Sequence, residues 1–335
     1  ATDIEKILTE ISDTDLIAVC VGQKGLSKIA PSIAKGIFFK HIHLPKRRTD
    51  IILAENLRNA GTYFTKELEK YLPVDFPLQE KVGMVETSIG KMVPIMPIEA
   101  SVKDPLLVYA EAYNTLILDR QGFLNPVPEV AGLAPKENIK AWVDRKLFIH
   151  NLGHATAAYV GNFLHPDRIY IYEVLKDIRV EKETRRAMLE AGNVLMAVHP
   201  GEFTQGQIQD HINNLISRFK NEALGDTIFR VGCDLNRKLG YSDRLVVPMI
   251  EAFKRNLPFG QILKAYICAL SFSAKDENNN LFPGDEQIIN LFNSRGIEYI
   301  LNTISKINSN EYKKIINKAE EISGSLNTEN FFRIL

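Results

Sequence analysis

Cysteine is scarce. Cys20, Cys233 and Cys268 are the only three among 335 residues; far apart and odd in number, they exclude a disulfide framework and fit no zinc ligand cluster. A reducing, cytoplasmic setting is the expectation. Charge of one sign is lacking too: 41 Lys+Arg stand against 41 Asp+Glu, so no global field draws the chain to nucleic acid or to a membrane surface. No apolar run approaches the roughly 20 residues that cross a bilayer, and the opening ATDIEKILTE lacks the basic-then-apolar order of a signal peptide. A soluble protein that is not exported, with neither a nucleic-acid nor a membrane partner, is expected.

What is present is ordinary globular material, 45% hydrophobic and 24% charged. Its length exceeds what one core usually organises, so two domains are expected. Residues 15–22, DLIAVCVG, are β-branched and apolar, end in glycine and are followed by LSKIAPSIAKGI with helical spacing. DIILAEN (50–56) and AGTYFTKELEKYL (60–72) repeat the strand-then-helix order, which predicts a parallel sheet flanked by helices. Further strands are expected at 81–95 and 106–112. The Pro- and Gly-rich stretch 122–136 reads as the domain boundary. Beyond it nearly every segment has helical periodicity, with helices expected at 137–163, 179–198, 205–219, 225–238, 243–255, 258–273, 285–293, 296–307 and 310–322. The asparagine-rich 276–280 reads as a loop. The resulting fold class is an α/β domain over 1–133 and an all-α domain over 134–335.

One helix carries unexpected residues. Pro135 and Glu137 suit a helix start, and Ile139, Trp142, Val143, Leu147, Phe148, Ile149, Leu152, Ala155 and Tyr159 make the segment after them apolar nearly all round. Into it the sequence places Lys146, His150, Asn151 and His154. At about 100° per residue, Lys146, Asn151 and His154 fall on one face. A buried amine loses hydration and becomes a base near neutral pH; an asparagine amide donates to an oxygen gaining negative charge; a histidine binds a hydroxyl or orients a neighbour. These are parts for taking a proton from an alcohol. Spacing alone also admits the bland alternative, a lysine reaching solvent over satisfied core polar groups, with His150 on the surface. It does not choose His154 over His150.

The K-x4-N-x2-H pattern of KLFIHNLGH resembles the lysine helix of the polyol-specific long-chain dehydrogenases. DLIAVCVGQKGLSKIAPSIAKGI, ILAENLRNAGT, DPLLVYAEAY and GDTIFRVGCDLNRKLGYSDRLVVP resemble further segments of that family, so the likeness runs from about residue 15 to near the C-terminus. It implies a Rossmann-like α/β domain, a helical domain and zinc-independent hydride transfer between NAD and a sugar-alcohol carbon in the cleft between them. By resemblance Lys146 would be the general acid/base, Asn56 and Asn151 the amides that stabilise the alkoxide, and His154 a holder of a substrate hydroxyl. The small-molecule substrate implied is a hexitol phosphate exchanged with a ketohexose phosphate, with a free hexitol, a hexuronate, or sugar-phosphate binding without turnover as alternatives.

Two departures stand out. A dinucleotide fold opens with a strand and a G-x-G-x-x-G turn; the 335 residues contain no such turn, and the opening strands are expected to precede Ala1. At SIGKMVP (88–94) the family has a Val-Asp-Arg-like stretch, where this chain has Gly90 and Lys91. Lys91 reads as a phosphate contact or, more simply, as a solvated loop residue.

Val21 and Gly22 close the first strand, where small residues let a dinucleotide come near, and with Asn56 they are the cofactor-binding candidates. Cys20 beside them reads as a small hydrophobe. Arg230, Arg237, Lys238 and Arg244 fall in one helical stretch and are candidates for a phosphate end, or for a charged outer face with pairs such as Asp226 with Arg230. His41 and His43 lack a third ligand for a metal, and none is expected.

Overall fold

The structure is a computed structural model and describes residues 3–94, 96, 98–308 and 310–325. The chain divides into two units, one of residues 1–91 and 112–143, the other of 92–111 and 144–335. The first holds strands β1 (Leu16–Val19), β2 (Thr49–Leu53), β3 (Val82–Ile89), β4 (Leu116–Asp119) and β5 (Leu133–Lys136), with helices α1 (Ile4–Asp13), α2 (Gln23–His43), α3 (Ala60–Glu69) and α4 (Leu78–Lys81). The strands lie in the order β1-β2-β3-β4-β5. β1, β2 and β3 are parallel, β4 runs antiparallel to β3, and β5 is parallel to β4. Val19 pairs with Leu53, so β1 and β2 end level with each other.

All of β2 is buried, the signature of a central parallel strand covered on both faces. Ile51 and Leu53 pack with Leu26, Ala30, Phe64 and Leu68 of α2 and α3. On the other side Ile52, Val85 and Leu118 make a smaller core. Asp50, 1% exposed, accepts hydrogen bonds from Leu124 N (2.8 Å), Asn125 N (3.1 Å) and Asn125 Nδ2 (3.0 Å), tying down the loop after β4. That loop lies on β3 so closely that a Cβ at Gly122 would stand 2.3 Å from Met84 O.

The α/β-then-helical architecture agrees with the sequence reading, but several details differ. Residues 106–112 form no strand, and 92–111 group with the helical unit instead. β4 and β5 fall where no strand was expected, and Pro135 sits inside β5, not in a helical turn. An outer strand tolerates proline because one side of its backbone needs no ladder partner. Ile95, the last residue of the expected third strand, lies outside the described residues.

The second unit contains α5 (Ile98–Lys103), α7 (Leu152–Leu164), α8 (Ile171–Val174), α9 (Ile178–Val198), α10 (Gln205–Phe219), α11 (Ile228–Gly232), α12 (Leu235–Lys238), α13 (Val246–Lys254), α14 (Gly260–Ala269), α15 (Asp285–Thr303) and α16 (Lys313–Ser325). The remaining helix, α6 (Ile139–Arg145), bridges the division in sequence. α7 is buried along almost its whole length and packs on α9; Gly153 allows this, since a Cβ there would meet Met188 Sδ at 2.5 Å. The stretch 225–238, expected as one helix, breaks into α11 and α12 because Asp234 takes a left-handed conformation at φ 68°. Gly296 at φ 78° interrupts α15 at the first residue of the second of the two helices read from the sequence.

One ion pair lies deep in this unit. Lys264 Nζ donates to Glu183 Oε2 at 2.8 Å, the side chains 2% and 4% exposed, and Arg186 reaches Glu183 Oε1 at 2.9 Å. Replacing Lys264 by alanine removes one partner and leaves a buried carboxylate short of countercharge. A loss of about 3–5 kcal/mol in urea unfolding is expected. A loss under about 1 kcal/mol, the worth of a solvent-exposed pair, contradicts this description.

Candidate active site

Lys146 opens a π-helical turn, Lys146–Asn151, set between α6 and α7. Leu152 N–H reaches back five residues to Leu147 O, so the turn holds one more residue than an α-helical turn and rotates the face beyond it. Such turns are rare and concentrate at functional sites. The regular 100° spacing expected over 137–163 therefore does not hold between Lys146 and His154. Burial strips water from the Lys146 ammonium and the Arg244 guanidinium repels it, which together lower its pKa to about 8. Asn151, half-buried, ends the same turn.

One turn further on, the His154 ring stacks on Phe219 at 4.5 Å, nearly parallel. Its Nε2 lies 3.2 Å from Asp226 Oδ2, close enough for an ion pair but off the line of a hydrogen bond. Burial pulls the His154 pKa down, Asp226 pulls it up, and burial prevails. Asp226 is itself pushed up by burial, but His154 and Arg230 more than reverse this and hold it ionised. A carboxylate beside Nε2 favours the neutral ring with its proton there, leaving Nδ1 to accept.

His150 is 7% exposed, which corrects the surface position considered for it. Burial first, and then His154, Arg218, Lys146 and His211, drive its pKa well below the ordinary range, so it stays neutral. Its ring lies 6.3 Å from that of His154 and 5.7 Å from Phe219. His211 is lowered to about 3 by burial, Arg145 and Arg218. Arg218 is gripped by Glu111 through Nε (2.7 Å) and Nη2 (2.5 Å). The environment around the π turn is thus dry and cationic, which favours a neutral lysine and stabilises negative charge formed nearby.

The four basic residues considered for a phosphate differ in position. Arg244 is largely buried, holds Asp243 through Nε at 2.8 Å, and acts on both Lys146 and His154 through its charge. Arg230 forms the Asp226 pair read from the sequence, with its side chain 45% exposed. Arg237 bridges Asp234 (2.6 Å) and Asp243 (3.0 Å). Lys238 is buried and donates to Val231 O at 2.6 Å, a bond that joins α12 to α11.

In the α/β unit the other candidates meet at the carboxyl ends of β1 and β2. Val21 and Gly22 come just after β1, Asn56 just after β2, and all three are exposed. Glu55, 5% exposed, accepts from Val21 N (2.7 Å) and Gly22 N (2.9 Å). Gly22 has φ 75°, with open space where a Cβ would stand. Lys91 donates to Tyr113 O (2.8 Å) and Asn114 Oδ1 (3.3 Å), so it braces a loop and is not simply solvated.

Two family profiles match the chain: residues 1–132 match the mannitol dehydrogenase Rossmann domain and residues 138–328 the mannitol dehydrogenase C-terminal domain. The chain belongs to the mannitol dehydrogenase family. Solved structures agree on the fold of this family. Mannitol 2-dehydrogenase of Pseudomonas fluorescens, in a ternary complex with NAD and D-mannitol, superposes with a TM-score of 0.73 at 15% identity, over 98% of this chain and 76% of that one. A D-sorbitol dehydrogenase in substrate-free form gives 0.79 at 15% identity, with the same coverage.

Within this member of the family, the helical unit brings together Lys146, Asn151, His154 and Arg244, and the α/β unit brings together Val21, Gly22 and Asn56. Residues that sequence reasoning missed are Glu55, Glu111, His211, Phe219 and Arg218. Only Glu55 left a signal, as the acid beside Asn56; the others meet the site through tertiary packing.

Proposed function

We propose that this mannitol dehydrogenase family member is an NAD-dependent oxidoreductase that interconverts a sugar alcohol and its ketose, with mannitol 1-phosphate and fructose 6-phosphate as the substrate pair. The observation that carries the reading is a dry, cationic π turn holding a lysine of pKa about 8. The residues after β1 and β2 suit the nicotinamide end of a dinucleotide: the ends of parallel strands are where open α/β sheets bind ligands, and Gly22 leaves room for a flat group. The 335 residues contain no G-x-G-x-x-G sequence for the pyrophosphate. Bound NAD would supply the hydride acceptor.

The chain's own part is proton transfer and charge stabilisation. Neutral Lys146 takes the proton of the carbinol hydroxyl, and Asn151 donates its amide to the oxygen as it becomes an alkoxide. Asn56 is retained as a second amide on the strength of the sequence resemblance. His154, held neutral against Asp226 and Phe219, accepts from a neighbouring hydroxyl of the polyol through Nδ1. Arg244, and Arg230 at the rim, are the cations assigned to the phosphate. A second reading, a free hexitol or a hexuronate, draws support from the pairing of Arg230 and Arg237 with carboxylates and of Lys238 with a carbonyl.

Oxidation of NADH by the native protein with fructose 6-phosphate, beside fructose and a hexuronate, decides between these. Turnover confined to the phosphate supports the first reading, turnover with the unphosphorylated sugars supports the second, and no turnover with any of them removes both.

The pH dependence has a definite sign. Alcohol oxidation needs Lys146 neutral, so kcat/KM in that direction rises with pH through about 8 and then levels. Carbonyl reduction needs the ammonium and falls over the same interval. Arg244→Gln takes away a positive neighbour and shifts both profiles to higher pH. Profiles that ignore the region around pH 8 in both directions contradict the assignment.

A further inference from the structure

Glu55 is a buried carboxylate whose Oε1 accepts from two consecutive amides, Val21 N and Gly22 N. Those amides stand at the start of α2, a helix of 21 residues with Gly22 as its cap. The start of a helix is where a dinucleotide fold usually seats a phosphate, because unpaired N–H groups and the helix dipole attract an anion. Here a side chain of the protein already supplies that anion. A phosphate brought to the same place would meet the carboxylate and find two of its donors engaged.

We infer that Glu55 is a positioning residue for the nicotinamide end of the cofactor: it fixes the Val21–Gly22 turn and, by filling the start of α2 with negative charge, restricts that turn to a group that is not an anion. Three observations agree. The bond spans the ends of two adjacent parallel strands, and Ala54 N also donates to Val19 O at 2.9 Å, so the loops after β1 and β2 are tied to each other. Gly22 is held at φ 75° facing open space, which a flat amide-bearing ring can occupy. Asn56 is the residue next to Glu55 in the chain, so the same anchor sets the origin of that side chain.

The inference rests on the reading of the protein as NAD-dependent. It is tested by fluorescence titration of NADH binding and by steady-state kinetics of the native full-length protein and three variants, Glu55→Ala, Glu55→Gln and Glu55→Asp, with NADH and with reduced nicotinamide mononucleotide, which lacks the adenylate half. Glutamine keeps an acceptor at the same reach, whereas aspartate keeps the charge one methylene short. In Glu55→Ala, kcat is expected to fall by about 10²-fold through misplacement of the reacting ring. KM for the ketose should hold, and the loss should be the same with both reductants. Glu55→Gln should recover to within about tenfold of wild type, since a neutral acceptor replaces a charged one. Glu55→Asp should remain impaired, and it reads the effect if the alanine variant does not fold. Tighter NADH binding in Glu55→Ala means that the helix start receives phosphate and overturns the inference, as does unchanged kcat in Glu55→Ala and Glu55→Asp. A wild-type protein that consumes neither reductant removes the functional reading beneath it, an outcome separate from either of these.

Discussion

Lys146→Met lowers kcat/KM for polyol oxidation by between about 10²- and 10⁴-fold, the usual worth of a positioned general base, and leaves the fold intact. Methionine keeps the length and the apolar stem of lysine while removing its titratable group. Stability does not suffer, because the charge removed was itself a burden. With the folded pKa at about 8, below the ordinary lysine value, the unfolded chain binds more protons between the two pKa values, so stability rises with pH across that window. Below about pH 8 the cost of the buried ammonium is fully present, and methionine relieves it. Activity by NADH formation and unfolding midpoint by circular dichroism check the two halves together. Lost activity with a collapsed midpoint would instead make Lys146 a structural residue.

Asn151→Ala has the second-largest effect, a fall of about 10²- to 10³-fold in kcat with little change in KM for the polyol. The split reflects when the amide acts. The substrate hydroxyl is neutral in the ground state and tolerates water as a partner, whereas the developing alkoxide needs a fixed donor in a dry site. Asn151→Asp should be worse than alanine, since a carboxylate opposes the forming charge. A raised KM at constant kcat in both variants would turn Asn151 into an ordinary binding contact.

How much of the molecule is legible in its sequence depends on whether the signal is local. β1 and β2 can be read because their β-branched runs end in turn residues ahead of helical spacing. β4 and β5 cannot: each has four residues, too short to show alternation, and Pro135 argues for a helix start. The apolar helix over 137–163 is visible, but its π turn is not, because periodicity assumes the regular turn that Lys146–Asn151 departs from.

The lysine can be singled out from its surroundings, yet His150 and His154 are indistinguishable by spacing. What separates them is tertiary: Asp226 and Phe219 hold His154, whereas burial first, and then the cations around it, keep His150 neutral. The Arg218–Glu111 pair joins residues 107 apart in sequence and has no local signature. The phosphate candidates show the opposite error, since a run of basic residues looks like one group and the left-handed Asp234 distributes them over separate elements.

The mechanism stands on one step, transfer of the alcohol proton to the amine of Lys146, and chemical rescue probes that step itself. Native protein carrying Lys146→Ala is supplied with NAD and the hexitol substrate, and NADH formation is monitored as methylamine is added over a range of pH. The expected result is a nearly inactive variant whose rate climbs with the concentration of the unprotonated amine and no longer tracks the pH step near 8 that marks the wild type. A Lys146→Ala protein that forms NADH at the wild-type rate without added amine shows that the proton goes elsewhere.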